Sequence, residues 1–97
     1  MPPQLGPGRI VHYQFPRHGA IECRPMIVVK VWSPECFNGT LMLDAMNDGD
    51  AVRGHLPGML PDGAPCPTTL AVGSVNWQIP DTELIPGRWH WPERVSD

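Results

Sequence analysis

Apolar and β-branched residues in this chain come in short runs separated by turn residues, which is the pattern of a β protein. No stretch keeps a helical apolar period for long, and residues 81–84 allow one helical turn at most. The runs predict five strands, at residues 9–15, 26–32, 40–46, 69–75 and 88–91.

The clearest run is 26–32, Met-Ile-Val-Val-Lys-Val-Trp, in which four residues are β-branched. Branching at Cβ disfavours a helix and suits a pleated strand. Because the run is almost continuously apolar, we predict that it lies at the centre of the sheet, with Lys30 reaching water. Asn38-Gly39 follows it and predicts a hairpin turn, since both residue types accept a positive φ.

Thirteen prolines and ten glycines punctuate these strands within a chain of 97 residues. That length and pattern predict one all-β domain, either a small five-stranded SH3-like barrel or a strongly twisted antiparallel sheet. Closure into a barrel is attractive because it removes exposed sheet edges. We expect residues 1–8 to form a flexible arm, residues 9–94 to form the domain, and residues 54–67 to form a long Gly/Pro-rich loop.

Charge and cysteine content narrow the class of protein. The formal net charge is -3, with seven basic residues, which argues against binding to duplex nucleic acid. The three cysteines form no CxxC pair, and no apolar run is long enough to cross a bilayer. We therefore expect a cytoplasmic protein with reduced thiols and no membrane association.

Metal binding and cofactors are not expected from the spacing of possible ligands. His12 and His90 fall on predicted strands, and no second ligand is regularly spaced beside either of them. Cys23, at the entry to the central strand, is interpreted as a structural residue.

Catalysis is not expected either. Cys36 or Cys66 could in principle pair with His55 or His90 as nucleophile and base. Both cysteines lie in predicted loops, and no basic neighbour would favour a thiolate at either one. We therefore expect a protein that is not an enzyme.

The string Pro-Gly-Arg-Trp-His-Trp-Pro-Glu-Arg at 86–94 is the most unusual in the chain. On a strand, its two tryptophans share one face, while the first arginine and the histidine share the other. Burial of at least one tryptophan in the core is the simpler interpretation. The alternative is an aromatic platform for a base, beside arginines that pair with phosphate. The candidate ligand-binding residues on this hypothesis are Tyr13, Arg24, Arg88, Trp89, His90, Trp91 and Arg94.

Four blocks of sequence resemble a group of small phage and prophage proteins of unassigned function. They are Val-His-Tyr at 11–13, Cys-Arg-Pro-Met-Ile-Val-Val-Lys-Val-Trp at 23–32, Asn-Asp-Gly at 47–49, and Pro-Gly-Arg-Trp-His-Trp-Pro-Glu at 86–93. The resemblance implies a small accessory protein encoded by a phage or prophage, and hence the cytoplasm of a bacterial host. It implies no catalytic residue.

These observations leave three functions open. The first is an anti-defence binding protein that sequesters a nucleotide immune signal, since stacking and charge pairing both recognise nucleotides. The second is an adaptor barrel that binds a host or virion protein. The third is a nucleic-acid-binding barrel. We also expect a homo-oligomer, because four tryptophans in so short a chain can leave an apolar patch exposed.

Overall fold

A computed structural model of the chain describes residues 5–17, 19–56, 58–61 and 63–92. Five strands and one helix make up its regular structure. In chain order they are β1 (Ile10–Arg17), β2 (Ala20–Ser33), β3 (Cys36–Met42), α1 (Gly49–His55), β4 (Thr69–Asn76) and β5 (Trp89–His90).

The strands form one antiparallel sheet in the order β4-β3-β2-β1-β5. The central place of β2 is confirmed, as is the exposure of Lys30. The barrel alternative is wrong, because no ladder joins β4 to β5 in the described part of the chain. The two edges meet only where Trp77, just after β4, forms a single bridge with Trp89. A β5 of two residues is too short to extend that bridge into a closed sheet.

The hairpin turn predicted at Asn38-Gly39 is also wrong, because both residues lie inside β3 and the chain turns at residues 34–35. Glycine is required in the strand for a packing reason. A Cβ on Gly39 would lie 2.8 Å from a ring carbon of Phe37 and 2.9 Å from the carbonyl oxygen of Ile27. The Asn38 side chain accepts a hydrogen bond of 2.8 Å from the Ser74 amide, which ties β3 to β4.

Helix α1 contradicts the expectation of a chain without helices, and it occupies the first two residues of the predicted 54–67 loop. The helix is short, and it is stabilised by tertiary contacts rather than by an apolar period. Val52 is fully buried in the core. Asp48, at the helix N-terminus, is also fully buried, and its carboxylate accepts hydrogen bonds from the Asp44 amide and from Arg24. The described residues that follow, at 58–61 and 63–68, contain no helix or strand.

The core lies between one face of the sheet, α1 and the segment that follows the helix. Trp89 is its largest member, so the interpretation that at least one tryptophan is buried is confirmed. Its indole nitrogen donates to the Glu35 carbonyl oxygen over 2.9 Å. The buried apolar side chains are Val11, Tyr13, Phe15, Met26, Val28, Phe37, Leu41, Val52, Leu60, Val75 and Trp89.

The predicted N-terminal arm is attached to the sheet over its described part. Leu5 packs against the core, and the Gly8 amide donates to the Val28 carbonyl oxygen over 2.8 Å. Residues 1–4 of the arm lie outside the described residues. None of the helices in the described residues combines the length and apolar character that crossing a membrane requires.

Candidate metal centre and ligand cleft

The candidate site lies on the face of β1 that points away from the core. Side chains alternate along a strand, so Val11, Tyr13 and Phe15 enter the core, while His12 and Gln14 lie on the opposite face. The loop of residues 78–85, named here the 78–85 loop, folds over that face. Its cover explains why Gln14 is fully buried although it lies outside the core.

Three possible metal ligands meet on this face, each from a different strand. His12 belongs to β1 and is paired with His90 of β5, while Cys23 of β2 approaches from the other side of β1. One donor atom from each residue lies within 4.8 Å of the other two. The two imidazoles are half-buried and the thiol is exposed, so an ion could reach them from solvent.

The His90 ring is held in one orientation by hydrogen bonds to both nitrogens. Nδ1 lies 2.8 Å from the carbonyl oxygen of Trp91. Because a carbonyl oxygen only accepts, Nδ1 carries a proton, and in the neutral imidazole Nε2 then holds the lone pair. That lone pair faces Cys23, whose Sγ donates to it over 3.1 Å. Metal-binding histidines are commonly fixed in this way, with the distal nitrogen bonded to a carbonyl.

A thiolate and two imidazoles make a coherent ligand set. Zn²⁺ binds both donor types, and three protein ligands with one open position is a common arrangement at zinc sites that bind a further molecule. Metal–nitrogen bonds of about 2.0 Å and metal–sulfur bonds of about 2.3 Å place tetrahedral donor atoms roughly 3.5 Å apart. The present separations therefore require only small side-chain movements to surround one ion.

A cleft of about 290 Å³ opens beside two of these ligands, between the sheet and the 78–85 loop. Its walls combine apolar side chains with amide and hydroxyl groups. The lining residues are Gln14, Cys23, Trp77, Gln78, Ile79, Pro80, Asp81, Thr82, Leu84 and His90.

Gln78 holds the 78–85 loop in shape. Its amide nitrogen donates to the Thr82 hydroxyl over 2.8 Å and to the Glu83 carbonyl oxygen over 3.0 Å. Its amide oxygen accepts from the Ile85 amide and from the side chain of Gln14. One buried side chain thus bonds both ends of the loop, which supports the open shape of the cleft.

A second pocket, of about 420 Å³, lies on the other side of the sheet and is lined in part by His55 and Arg17. The Tyr13 hydroxyl and Nε2 of His55 form a hydrogen bond of 2.7 Å. Burial raises the pKa of Tyr13 to about 12. Burial also lowers the pKa of His55, which favours its neutral form.

The candidate ligand-binding residues are not brought together in one place. Trp89 and Tyr13 are fully buried and present no face to solvent. Trp91 is half-buried against Trp89, with ring centroids 5.3 Å apart. Of the six that the structure describes, His90 alone lines the cleft. Arg94 lies outside the described residues.

The two described arginines of that set already have partners. Arg24 donates to Asp48 over 3.2 Å and to Glu22 over 3.3 Å. Arg88 donates to the carbonyl oxygen of Trp77 over 3.1 Å. Because these groups are engaged within the chain, the geometry gives no support to phosphate binding by either one.

Sequence spacing placed no second ligand regularly beside His12 or His90, but the sheet brings possible ligands together there. The two histidines are cross-strand partners, and the thiol that faces His90 belongs to Cys23 rather than to Cys36 or Cys66. Pairing across strands distant in sequence cannot be derived from spacing along the chain. The available signal was the alternation of side chains along β1 and β5, which puts both histidines on the face of the sheet that points away from the core.

Comparison with family models, curated proteins and solved structures returns no match for this chain. The phage or prophage origin implied by the Trp-His-Trp-Pro-Glu ending therefore stays a prediction.

Proposed function

We propose that this chain is a small metal-binding β domain that holds a Zn²⁺ ion with His12, Cys23 and His90. The observation that supports this most is the meeting of three donor atoms within 4.8 Å. They come from three strands of one sheet, so the scaffold fixes their spacing before the metal arrives. We thus keep the expectation of a binding protein that is not an enzyme. The proposed ligand is now a metal ion instead of a nucleotide.

The geometry favours a metal over a chance cluster for two reasons. The His90 ring is already fixed with its lone pair toward Cys23. The third group, His12, meets His90 edge to face, with ring centroids 5.4 Å apart, on the solvent-accessible side of the sheet. Soft and borderline donors of this kind select Zn²⁺ over Mg²⁺ or Ca²⁺, which prefer oxygen.

A zinc titration of the purified chain tests the proposal, read by calorimetry and by competition with a chromophoric chelator. One equivalent of Zn²⁺ should bind, and Cys23→Ser and His90→Gln should each weaken binding by at least about 100-fold, since each removes a direct ligand. Cys66→Ser is the matched control, because it removes a half-buried thiol elsewhere. Equal affinity in the Cys23 and Cys66 variants would refute the proposed site.

Self-association is a second candidate property, favoured by the outer face of the sheet. Ile10 and Ile27 are cross-strand partners, and they and Val29 are 56%, 37% and 56% exposed. We propose that a second copy of this chain binds this face, since a row of uncharged apolar side chains can pack against the same row of a symmetry-related copy. Sedimentation velocity should show a dimer that Val29→Lys dissociates. A monomer at all concentrations would contradict it.

A further inference from the structure

We infer that the metal ion proposed above keeps one coordination position open toward the cleft under the 78–85 loop, and that this position takes a small uncharged ligand with a nitrogen donor. The inference rests on the proposed function, because it requires the ion to be bound. It adds a second binding partner and assigns its chemistry.

The open position follows from the number of protein ligands. In the part of the chain that the structure describes, the group able to share one ion contains three residues, His12, Cys23 and His90. Zn²⁺ completes a tetrahedron with four donors, and these three described residues leave one position for a further donor.

The direction of the open position follows from the cleft. Cys23 and His90 are both part of its wall, so an ion bound between them lies at the edge of the space. The bonds made by Gln78 keep the loop from collapsing into that space. A molecule coordinated to the ion would therefore extend under the loop.

The chemistry of the wall defines what fits. Trp77, Ile79 and Leu84 offer apolar surface, and Ile79 and Leu84 are 61% and 54% exposed at the cleft. Among the described residues, the lining contains no arginine or lysine, whereas Asp81 contributes a carboxylate. An anion such as phosphate would meet no positively charged side chain in this described lining, so a neutral donor with an apolar body is favoured.

Spectroscopy of the full chain loaded with Co²⁺ tests this inference, because the visible bands of Co²⁺ respond to each change of ligand. Imidazole and 4-phenylimidazole are the probes, and inorganic phosphate is the anionic comparison. We expect both azoles to shift the bands, with 4-phenylimidazole binding at least about 10-fold more tightly because its phenyl ring is buried in the cleft. Phosphate should leave the bands unchanged.

Two variants test whether the added ligand binds in the cleft. Leu84→Ser should remove most of the advantage of 4-phenylimidazole while leaving the bands of the unliganded Co²⁺ protein as they were. Met46→Ser is the matched control, since Met46 is 92% exposed and does not line the cleft.

The outcomes separate the two proposals. Normal Co²⁺ bands that do not respond to azoles, that respond equally to phosphate, or that show no preference for the phenyl group would overturn the open position but leave the metal site standing. A failure of Co²⁺ and Zn²⁺ to bind at all would overturn both.

Discussion

The Sγ atom of Cys23 lies 3.1 Å from Nε2 of His90, although 67 residues separate them in sequence. The two residues belong to β2 and β5, which flank β1 on either side. β1 supplies His12 between them, so the order of strands in the sheet, rather than any local motif, assembles the candidate metal centre.

Metal binding should protect one thiol selectively. Cys23 is exposed, whereas Cys36 and Cys66 are half-buried, and burial raises the pKa of the Cys66 thiol. In the metal-free protein, iodoacetamide should modify Cys23 first, because alkylation needs an accessible thiolate. Adding Zn²⁺ should slow the reaction of Cys23 by at least about 10-fold, since the metal occupies the thiolate. Peptide mass spectrometry measures each site, and equal protection of all three thiols would contradict the account.

The chain contains a single tyrosine, so its ionisation can be followed directly by ultraviolet absorbance. Burial raises the pKa of Tyr13 to about 12, compared with 10.0 for a free phenol. The folded protein should therefore show no tyrosinate near pH 10. The contribution of Tyr13 to the free energy of unfolding should decrease as the pH rises from 10 to 12, because the unfolded chain loses the phenol proton first. Tyr13→Phe should remove that part of the alkaline loss of stability. If the phenol titrated at pH 10 in the folded protein, the result would contradict the burial of Tyr13.

The partner of that phenol predicts an acid effect of the opposite sign. Burial lowers the pKa of His55 from 6.5, so the unfolded chain takes up a proton at a pH where the folded chain does not. The free energy of unfolding should fall as the pH drops below 6.5, until the folded form is protonated as well. Denaturant unfolding from pH 7.5 to 5 should show a smaller decrease in the free energy of unfolding for His55→Gln than for the natural chain. Parallel curves for the two proteins would contradict the lowered pKa of His55.

Much of the sheet could be predicted from local sequence, because alternation and β-branching report which residues fit a strand. The central position of β2 and the burial of a tryptophan near the C-terminus both followed in this way. Gly39 shows the limit of local reasoning. An Asn-Gly pair indicates a turn by its backbone freedom, yet the pair lies in β3 because Phe37 needs the space that a side chain would fill.

The candidate site was predictable only in part. The sequence predicts that His90 binds a ligand because of its neighbours, but Trp89 is buried in the core and Arg88 already donates to a carbonyl oxygen. Cys23 is predicted to be structural from its place at the entry to the central strand, whereas the His90 that it faces is 67 residues away in sequence. Helix α1 was missed because its stability comes from burying Val52 and Asp48, which a search for apolar periodicity does not detect.

Gly39 also provides a stability test. Gly39→Ala should lower the free energy of unfolding by about 1–3 kcal/mol, because the new methyl group meets atoms closer than van der Waals contact on two sides. The matched control is Gly54→Ala in α1, where a Cβ would meet nothing within 4 Å. That change should raise the stability by roughly 0.5–1 kcal/mol, because alanine favours a helix. Chemical denaturation of both variants measures the difference, and equal effects would exclude a packing role for Gly39.

The central claim is that His12, Cys23 and His90 bind one metal ion. X-ray absorption spectroscopy of the zinc-loaded chain tests it most directly, because it reports the type and distance of each ligand. We predict one sulfur at about 2.3 Å and two imidazole nitrogens at about 2.0–2.1 Å, with a fourth light atom from solvent. A zinc shell of oxygen and nitrogen alone, without sulfur, would contradict the account.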